Sequence, residues 1–119
     1  MTMAIDSTNV ETLPAFDVVL CLSVHHNWVD AEGPEKAADI LRALVKRSNR
    51  VMVFEGPARQ ERFGSFDPGF VDNDEASVTA YYEEYLAKEL GDLVSRIEPL
   101  GKPANHDPEP YRWAWALHR

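Results

Sequence analysis

Several features that mark particular protein classes are scarce in this sequence. Cysteine occurs once, at Cys21 in 119 residues, which excludes an internal disulfide and a CxxC zinc knuckle. Basic residues number 12 against 20 acidic ones, and the net charge of −8 argues against a broad phosphate-binding surface. We therefore expect no nucleic-acid partner and no scaffold built on disulfides.

Long apolar runs are also missing. The longest extends from Val18 to Leu22, which is the length of a strand, whereas a bilayer span needs about 20 residues. The first residues contain no basic region followed by an apolar stretch, so we expect no secretory signal and no membrane segment. The cytoplasm is then expected by elimination. With 45% hydrophobic and 27% charged residues, the composition predicts a single domain over residues 1–119.

The first half of the chain has the pattern of a strand, a helix and a second strand. Phe16 to Val24 is a nearly continuous apolar run, which is typical of a strand buried on both faces in a parallel sheet. After a polar loop from His25 to Gly33, apolar residues recur at helical spacing from Pro34 to Ser48. Arg50 to Glu55 is a second apolar strand, so these segments predict a right-handed βαβ unit.

The second half predicts one helix and two strands. The segment from Gly56 to Asn73 contains glycine and proline and is expected to be a long surface loop. A helix is predicted from a cap at Asp74 to Leu90, with Gly91 placed to end it. Leu93 to Leu100 and Tyr111 to His118 are predicted to pair as antiparallel strands. The whole order indicates an α/β sheet with an antiparallel edge.

The string FDVVLCLSVHHNW resembles the fourth-strand motif of class I S-adenosylmethionine-dependent methyltransferases, in which an aromatic residue and an Asp precede an apolar run that often ends in His. RVMVFEGP resembles the fifth strand of that fold. RIEPLGKP and YRWAWALHR resemble its ending, where the last strand inserts between the fifth and the sixth. The resemblance implies a partial Rossmann-like methyltransferase sheet of parallel strands with an antiparallel C-terminal strand and helices packed on the sheet.

The sequence departs from that family in its cofactor-binding motifs. The family binds its cofactor through a glycine-rich loop after the first strand and an acidic residue at the end of the second, and no GxGxG occurs here. The resemblance therefore implies the C-terminal half of the fold without its N-terminal strands. We expect activity to require those strands from another chain.

The resemblance also implies candidate site residues. S-adenosylmethionine, if it binds, would lie near Ser23 and Val24, and Asp6 corresponds to an acidic position that contacts adenine in many relatives. His25 and His26 follow the strand at the sheet edge where ligands bind, and a neutral imidazole there would accept a proton from the attacking hydroxyl or amine. Packing or hydrogen bonding in the loop is the alternative interpretation of both histidines.

Three further residues are candidates for binding the substrate. Asn27 and Trp28 follow the histidines, and Trp28 either shapes an acceptor pocket or covers the start of the helix. Glu55 ends a strand at the same edge and either orients the substrate or caps a loop. Adjacent histidines on an extended segment point in opposite directions, so no metal site is expected. Cys21 is expected to be a buried, unreactive thiol.

The sequence is compatible with two functions of different kinds. The first is methyl transfer from S-adenosylmethionine to an unidentified acceptor. The second is a non-catalytic, truncated module or split subunit, because a strand such as FDVVLCLSV exposes backbone and apolar surface when its neighbours are absent. The expected partner is then a second copy of the chain or a complementary N-terminal half.

Overall fold

Strands and helices alternate along the chain. The computed structural model describes residues 5–22, 24–101 and 112–119. The α-helices and strands in those residues are β1 (Phe16–Leu22), α1 (His25–Glu32), α2 (Pro34–Arg47), β2 (Ser48–Pro57), α3 (Glu75–Leu90), β3 (Arg96–Gly101) and β4 (Arg112–His118). Short 3-10 turns lie at Val10–Thr12 and Gln60–Phe63.

The four strands form one mixed sheet in the order β1-β2-β4-β3. β1 is parallel to β2, as a βαβ crossover requires, and β4 is antiparallel to both of its neighbours. Cys21 is paired with Phe54, which in turn is paired with Trp115. The last strand thus lies between β2 and β3, and the expected α/β fold with an antiparallel C-terminal strand is confirmed.

The core lies between the sheet and the three helices. Alternation along the strands places Cys21, Phe54 and Trp115 on one face of the sheet, and all three are buried. Helix α3 packs on this face through Tyr82, whose ring contacts both Phe54 and Trp115. Helix α1 contributes His25, which contacts Phe54 edge-on. The helical face of the sheet is therefore an aromatic core.

The opposite face of β1 is open. Phe16, Val18, Leu20 and Leu22 point to that side and are 49%, 52%, 63% and 46% exposed. The prediction that this strand is buried on both faces is wrong, because β1 is an edge strand and only its other side faces the helices. In the described part of the chain, no helix is packed against this apolar row.

The segment expected to be a polar loop after β1 is helix α1. Its buried residues include His25, Trp28 and Val29, which have the i, i+3, i+4 spacing of one helix face. The helix ends at Gly33, whose amide donates to the Val29 carbonyl and whose φ of 92° permits the reversal into Pro34. The predicted loop is therefore a short helix that carries both histidines, whereas the helix predicted from Pro34 is found as α2, which ends at Arg47.

The remaining elements follow the sequence more closely. Asp74 caps α3 by accepting a hydrogen bond from the Ser77 amide at 2.9 Å, and Gly91 follows the last residue of the helix, as predicted. Residues 56–73 are not a surface loop throughout, because Phe63 and Phe70 are buried in the core. Aromatic burial holds this connection against the helices although most of it has no regular structure.

Candidate functional site

A groove of about 800 Å³ runs along β1 on the helical side of the sheet. The segment before β1 forms one wall through Ile5 and Leu13, and the strand itself contributes Val19 and Cys21. Helix α1 closes the end of the groove with Trp28. The lining is mostly apolar, and the volume is within the range of small-molecule sites.

Three residues predicted from the sequence meet at this groove. Val24, Asn27 and Trp28 all line it near the carboxyl end of β1. Asn27 is exposed, whereas Trp28 is only 9% exposed and its indole Nε1 donates to the carbonyl of Ile5 at 2.9 Å. That hydrogen bond connects α1 to the wall formed by the segment before β1, and so it sets the width of the groove at this end.

His25 lies in the aromatic core and does not line the groove. It is 2% exposed, and its Nε2 is 2.7 Å from the Tyr85 hydroxyl oxygen. Burial, with a smaller contribution from the charge of His26, lowers the pKa of His25 to about 3. The imidazole is therefore neutral at pH 7, and its position anchors α1 to α3.

His26 is also on the buried side of α1. It is 8% exposed and packs edge-on against Phe63, with ring centroids 6.1 Å apart. Burial lowers its pKa, and the positive charges of Arg62 and Arg112 lower it further. Among the residues that the structure describes, its Nδ1 atom is buried without a hydrogen-bond partner.

The two predicted carboxylates lie apart from the groove lining. Glu55 points to the open face of β2, where its Oε1 atom is 3.9 Å from Nε of Arg112. The Asp6 carboxylate accepts hydrogen bonds from the Thr8 hydroxyl at 2.6 Å and from the amides of Thr8 and Asn9, and these bonds lower its pKa. Ser23 lies outside the described residues.

Two residues that the sequence reasoning did not select belong to these clusters. Tyr85 lies on α3, and its hydroxyl is the hydrogen-bonding neighbour of His25. Arg112 was not considered, although it begins the strand that pairs with β2 and so lies beside Glu55. An antiparallel register drawn between the predicted strands would have placed Arg112 near Glu55, whereas the sequence carried no signal for the Tyr85 contact.

The groove has few groups for binding a polar cofactor. Asn27 has the exposed amide in its lining, and the carboxylates of Asp6 and Glu55 are engaged elsewhere. The described lining therefore does not form a complete set of donors and acceptors for S-adenosylmethionine. In residues 5–22, 24–101 and 112–119, no three His, Cys, Asp or Glu side chains are grouped to hold a metal ion.

Comparison with known proteins identifies the fold of the chain. No protein-family model matches the chain, and no curated protein matches it in sequence. The structure is similar to that of magnesium protoporphyrin IX methyltransferase from Synechocystis PCC 6803 with bound SAH, with a TM-score of 0.50 and 19% identity. The chain has a methyltransferase-like fold.

The likeness extends over 92% of this chain and 48% of that one, so the chain spans about half the length of the methyltransferase. At 19% identity the comparison concerns the fold, and the activity of this chain is a separate question. None of the described helices is long and apolar enough to cross a bilayer.

Proposed function

We propose that this chain forms the C-terminal portion of an S-adenosylmethionine-dependent methyltransferase that acts on an unidentified acceptor. The observation that carries the proposal is the groove at the carboxyl end of β1, lined by Val24, Asn27 and Trp28, in a methyltransferase-like fold. Open α/β sheets bind ligands at the carboxyl ends of their strands, which is where these residues lie. The similar structure holds SAH, a ligand of the class proposed here.

S-adenosylmethionine would supply the activated methyl group, and this chain would supply one wall of its site. Val24 and Trp28 offer apolar surface, and Asn27 offers an amide that both donates and accepts hydrogen bonds. Since this wall has so few polar groups, the remaining contacts to the cofactor would come from outside the described lining. Asp6 and Glu55 would join the site only after their present partners were exchanged.

The proposed role of His25 and His26 is to position α1. Methyl transfer depends mainly on the alignment of the acceptor, the methyl group and the sulfur, so a strong base is not required. Both imidazoles are buried, and His25 is within hydrogen-bonding distance of Tyr85. Their burial favours holding the helix that carries Asn27 and Trp28, and general-base catalysis by either histidine stays an untested prediction.

Calorimetric titration of the purified chain with S-adenosylmethionine and S-adenosylhomocysteine tests the proposal. We expect saturable binding, and we expect Asn27→Ala to weaken it about three- to tenfold because one hydrogen bond to the ligand is lost. Asn49→Ala is the matched control, since Asn49 is exposed on β2 and does not line the groove.

Two results would contradict the proposal. If the folded chain gives no saturable heat with either ligand, the groove is not part of a cofactor site and the proposal is wrong. If both substitutions weaken binding equally, the ligand does not lie at the groove. Circular dichroism of each variant shows whether the fold has been kept.

The second function, a non-catalytic interaction module, is favoured by a different observation. The apolar row on β1 is about half exposed, whereas the apolar residues of β2 and β4 are more deeply buried. An exposed apolar patch on a sheet edge is typical of a protein interaction surface. This surface exists whether or not the groove binds a cofactor.

A further inference from the structure

β1 ends the sheet with an unpaired backbone edge. It pairs with β2 on one side, and no strand in residues 5–22, 24–101 or 112–119 pairs with its other side. Natural edge strands are commonly protected by charged side chains, proline or bulges. β1 has one charged residue, Asp17, at a register irregularity between Phe16 and Val18, and from Val18 to Leu22 it consists of apolar residues. Its outer edge is therefore a template for another strand.

Both sides of this edge are apolar. Val19 and Cys21 line the groove of about 800 Å³ on the helical side, and Phe16 and Leu20 of the open face also border it. On the open side, the row from Phe16 to Leu22 is about half exposed. Side chains of a strand alternate between the two faces, so an added strand would place one set in the groove and the other beside the exposed row.

The charges around this surface are already paired within the chain. Glu55 lies near Arg112 at one end of the open face, and Nε2 of His118 is 3.0 Å from Oε1 of Glu98 at the other. Arg96 adds a second positive group to Glu98. The surface between these pairs is apolar, so the occupant that it fits is apolar as well.

We propose that the outer edge of β1 binds an extended apolar segment of another polypeptide, which adds a strand to the sheet. One added strand covers the backbone edge, the groove and part of the exposed row at the same time. The methyltransferase with the similar fold has about half of its chain outside the match, which is consistent with further polypeptide packing on such a half. The proposal does not depend on cofactor binding.

A second copy of this chain fits the surface less well. Edge-to-edge pairing of two β1 strands would bring together two chains with a net charge of −8 each. On the groove side, each β1 would offer Asp17, Val19 and Cys21, of which Asp17 is charged and Cys21 is already buried under its own helices. Of these residues only Val19 is both apolar and partly exposed, so pairing of copies would place few apolar side chains in the groove.

The test uses the full chain and a synthetic nine-residue peptide of alternating valine and threonine with a lysine at each end. Fluorescence anisotropy measures its affinity, and hydrogen exchange measures protection of the amides of residues 16–22. We expect saturable binding and slower exchange of those amides. A peptide of the same sequence with N-methylated backbone amides controls for strand pairing, and we expect it to bind at least about tenfold more weakly because it cannot complete the ladder.

Two substitutions give a matched comparison. Leu20 and Val71 are both 63% exposed, but only Leu20 lies on β1. We expect Leu20→Lys to weaken peptide binding about tenfold, since a charge would stand in the apolar row, and Val71→Lys to leave the affinity unchanged. Both positions are exposed, so both variants should fold.

Three outcomes would overturn the proposal. One is that no saturable peptide binding occurs. Another is that Val71→Lys weakens binding as much as Leu20→Lys, which would make the interaction non-specific. The third is that sedimentation shows a dimer of the wild-type chain that Leu20→Lys dissociates, which would make a second copy the occupant. Because these measurements contain no cofactor, they are independent of the outcome of the cofactor titration.

Discussion

The buried position of His25 makes a sharp prediction about pH and stability. This imidazole is 2% exposed, and its pKa in the folded chain is lowered to about 3 from an ordinary value of 6.5. The main cause is burial, which disfavours the charged form. In the unfolded chain the same imidazole is hydrated and takes up a proton near its ordinary pKa. At pH values between these two pKa values, protonation of His25 therefore favours the unfolded chain.

The sign and the size of the effect follow from linkage. Below pH 6.5 the unfolded chain binds a proton at His25 that the folded chain does not bind until about pH 3. The contribution of His25 to the free energy of unfolding is therefore complete above pH 6.5 and is lost as the pH is lowered towards 3. The free energy of unfolding should decrease by nearly 1.4 kcal/mol per pH unit well below pH 6.5. Between pH 8 and pH 5, His25 alone should remove about 2 kcal/mol.

Urea unfolding at pH 8 and pH 5 measures this loss. The matched variant is His25→Leu with Tyr85→Phe, because replacing both polar partners leaves no buried group unsatisfied. His26 is present in both proteins and contributes equally. The pKa of Asp92 is held at about 2 by its hydrogen bonds with Arg42, so this carboxylate stays ionised at pH 5. The difference between the two proteins therefore isolates His25.

The wild-type chain should lose about 2 kcal/mol more than the double variant between these two pH values. Equal losses in both proteins would refute the reasoning, since they would mean that His25 is hydrated or protonated in the folded state. A single variant, Tyr85→Phe, should keep the pH dependence while lowering stability at both pH values, because it removes a neighbour of His25 and leaves the imidazole buried.

Three further predictions concern packing and capping, each checked by urea unfolding. Gly56→Ala should lower the free energy of unfolding by about 1–3 kcal/mol, because a Cβ atom there would be 2.5 Å from the Tyr82 ring. This ring is buried, and its hydroxyl donates to a carbonyl. An unchanged stability would show that the ring moves freely. Phe63→Ala should cost about 3–5 kcal/mol, since this ring is fully buried among five aromatic neighbours; a loss below 1 kcal/mol would contradict that packing. Asp74→Ala should cost about 1 kcal/mol through loss of the cap on the Ser77 amide, and Asp74→Asn should recover most of it.

The fold could be predicted from the sequence because its main signals are local. The apolar runs that became β1 and β2 and the helical spacing after Pro34 each depend on neighbouring residues only. The cap at Asp74 is likewise a contact between residues three apart. The insertion of β4 between β2 and β3 was expected from the methyltransferase resemblance, and it is not a property that any one segment encodes.

The position of the histidines could not be predicted in the same way. The eight residues of α1 contain no strong amphipathic pattern, and their helical state depends on burying His25 against Tyr85, which is 60 residues away. Once α1 is a helix, residues 25 and 28 share a face, and Asn27 is turned outward. The sequence therefore pointed to three residues that line the groove, Val24, Asn27 and Trp28, whereas the two histidines were assigned to the wrong local structure.

The same edge of β1 connects the two proposals. A strand added beside β1 would run along the groove, and open α/β sheets bind ligands at the carboxyl ends of their strands. Asn27 offers the exposed amide at that end of the groove, and the backbone N–H and C=O groups at the end of an added strand would supply further polar groups there. A segment that completes the cofactor site would raise the affinity of the chain for S-adenosylmethionine. By linkage, S-adenosylmethionine must then raise the affinity of the chain for the segment by the same factor. A segment that fills only the apolar part of the groove would show no such coupling.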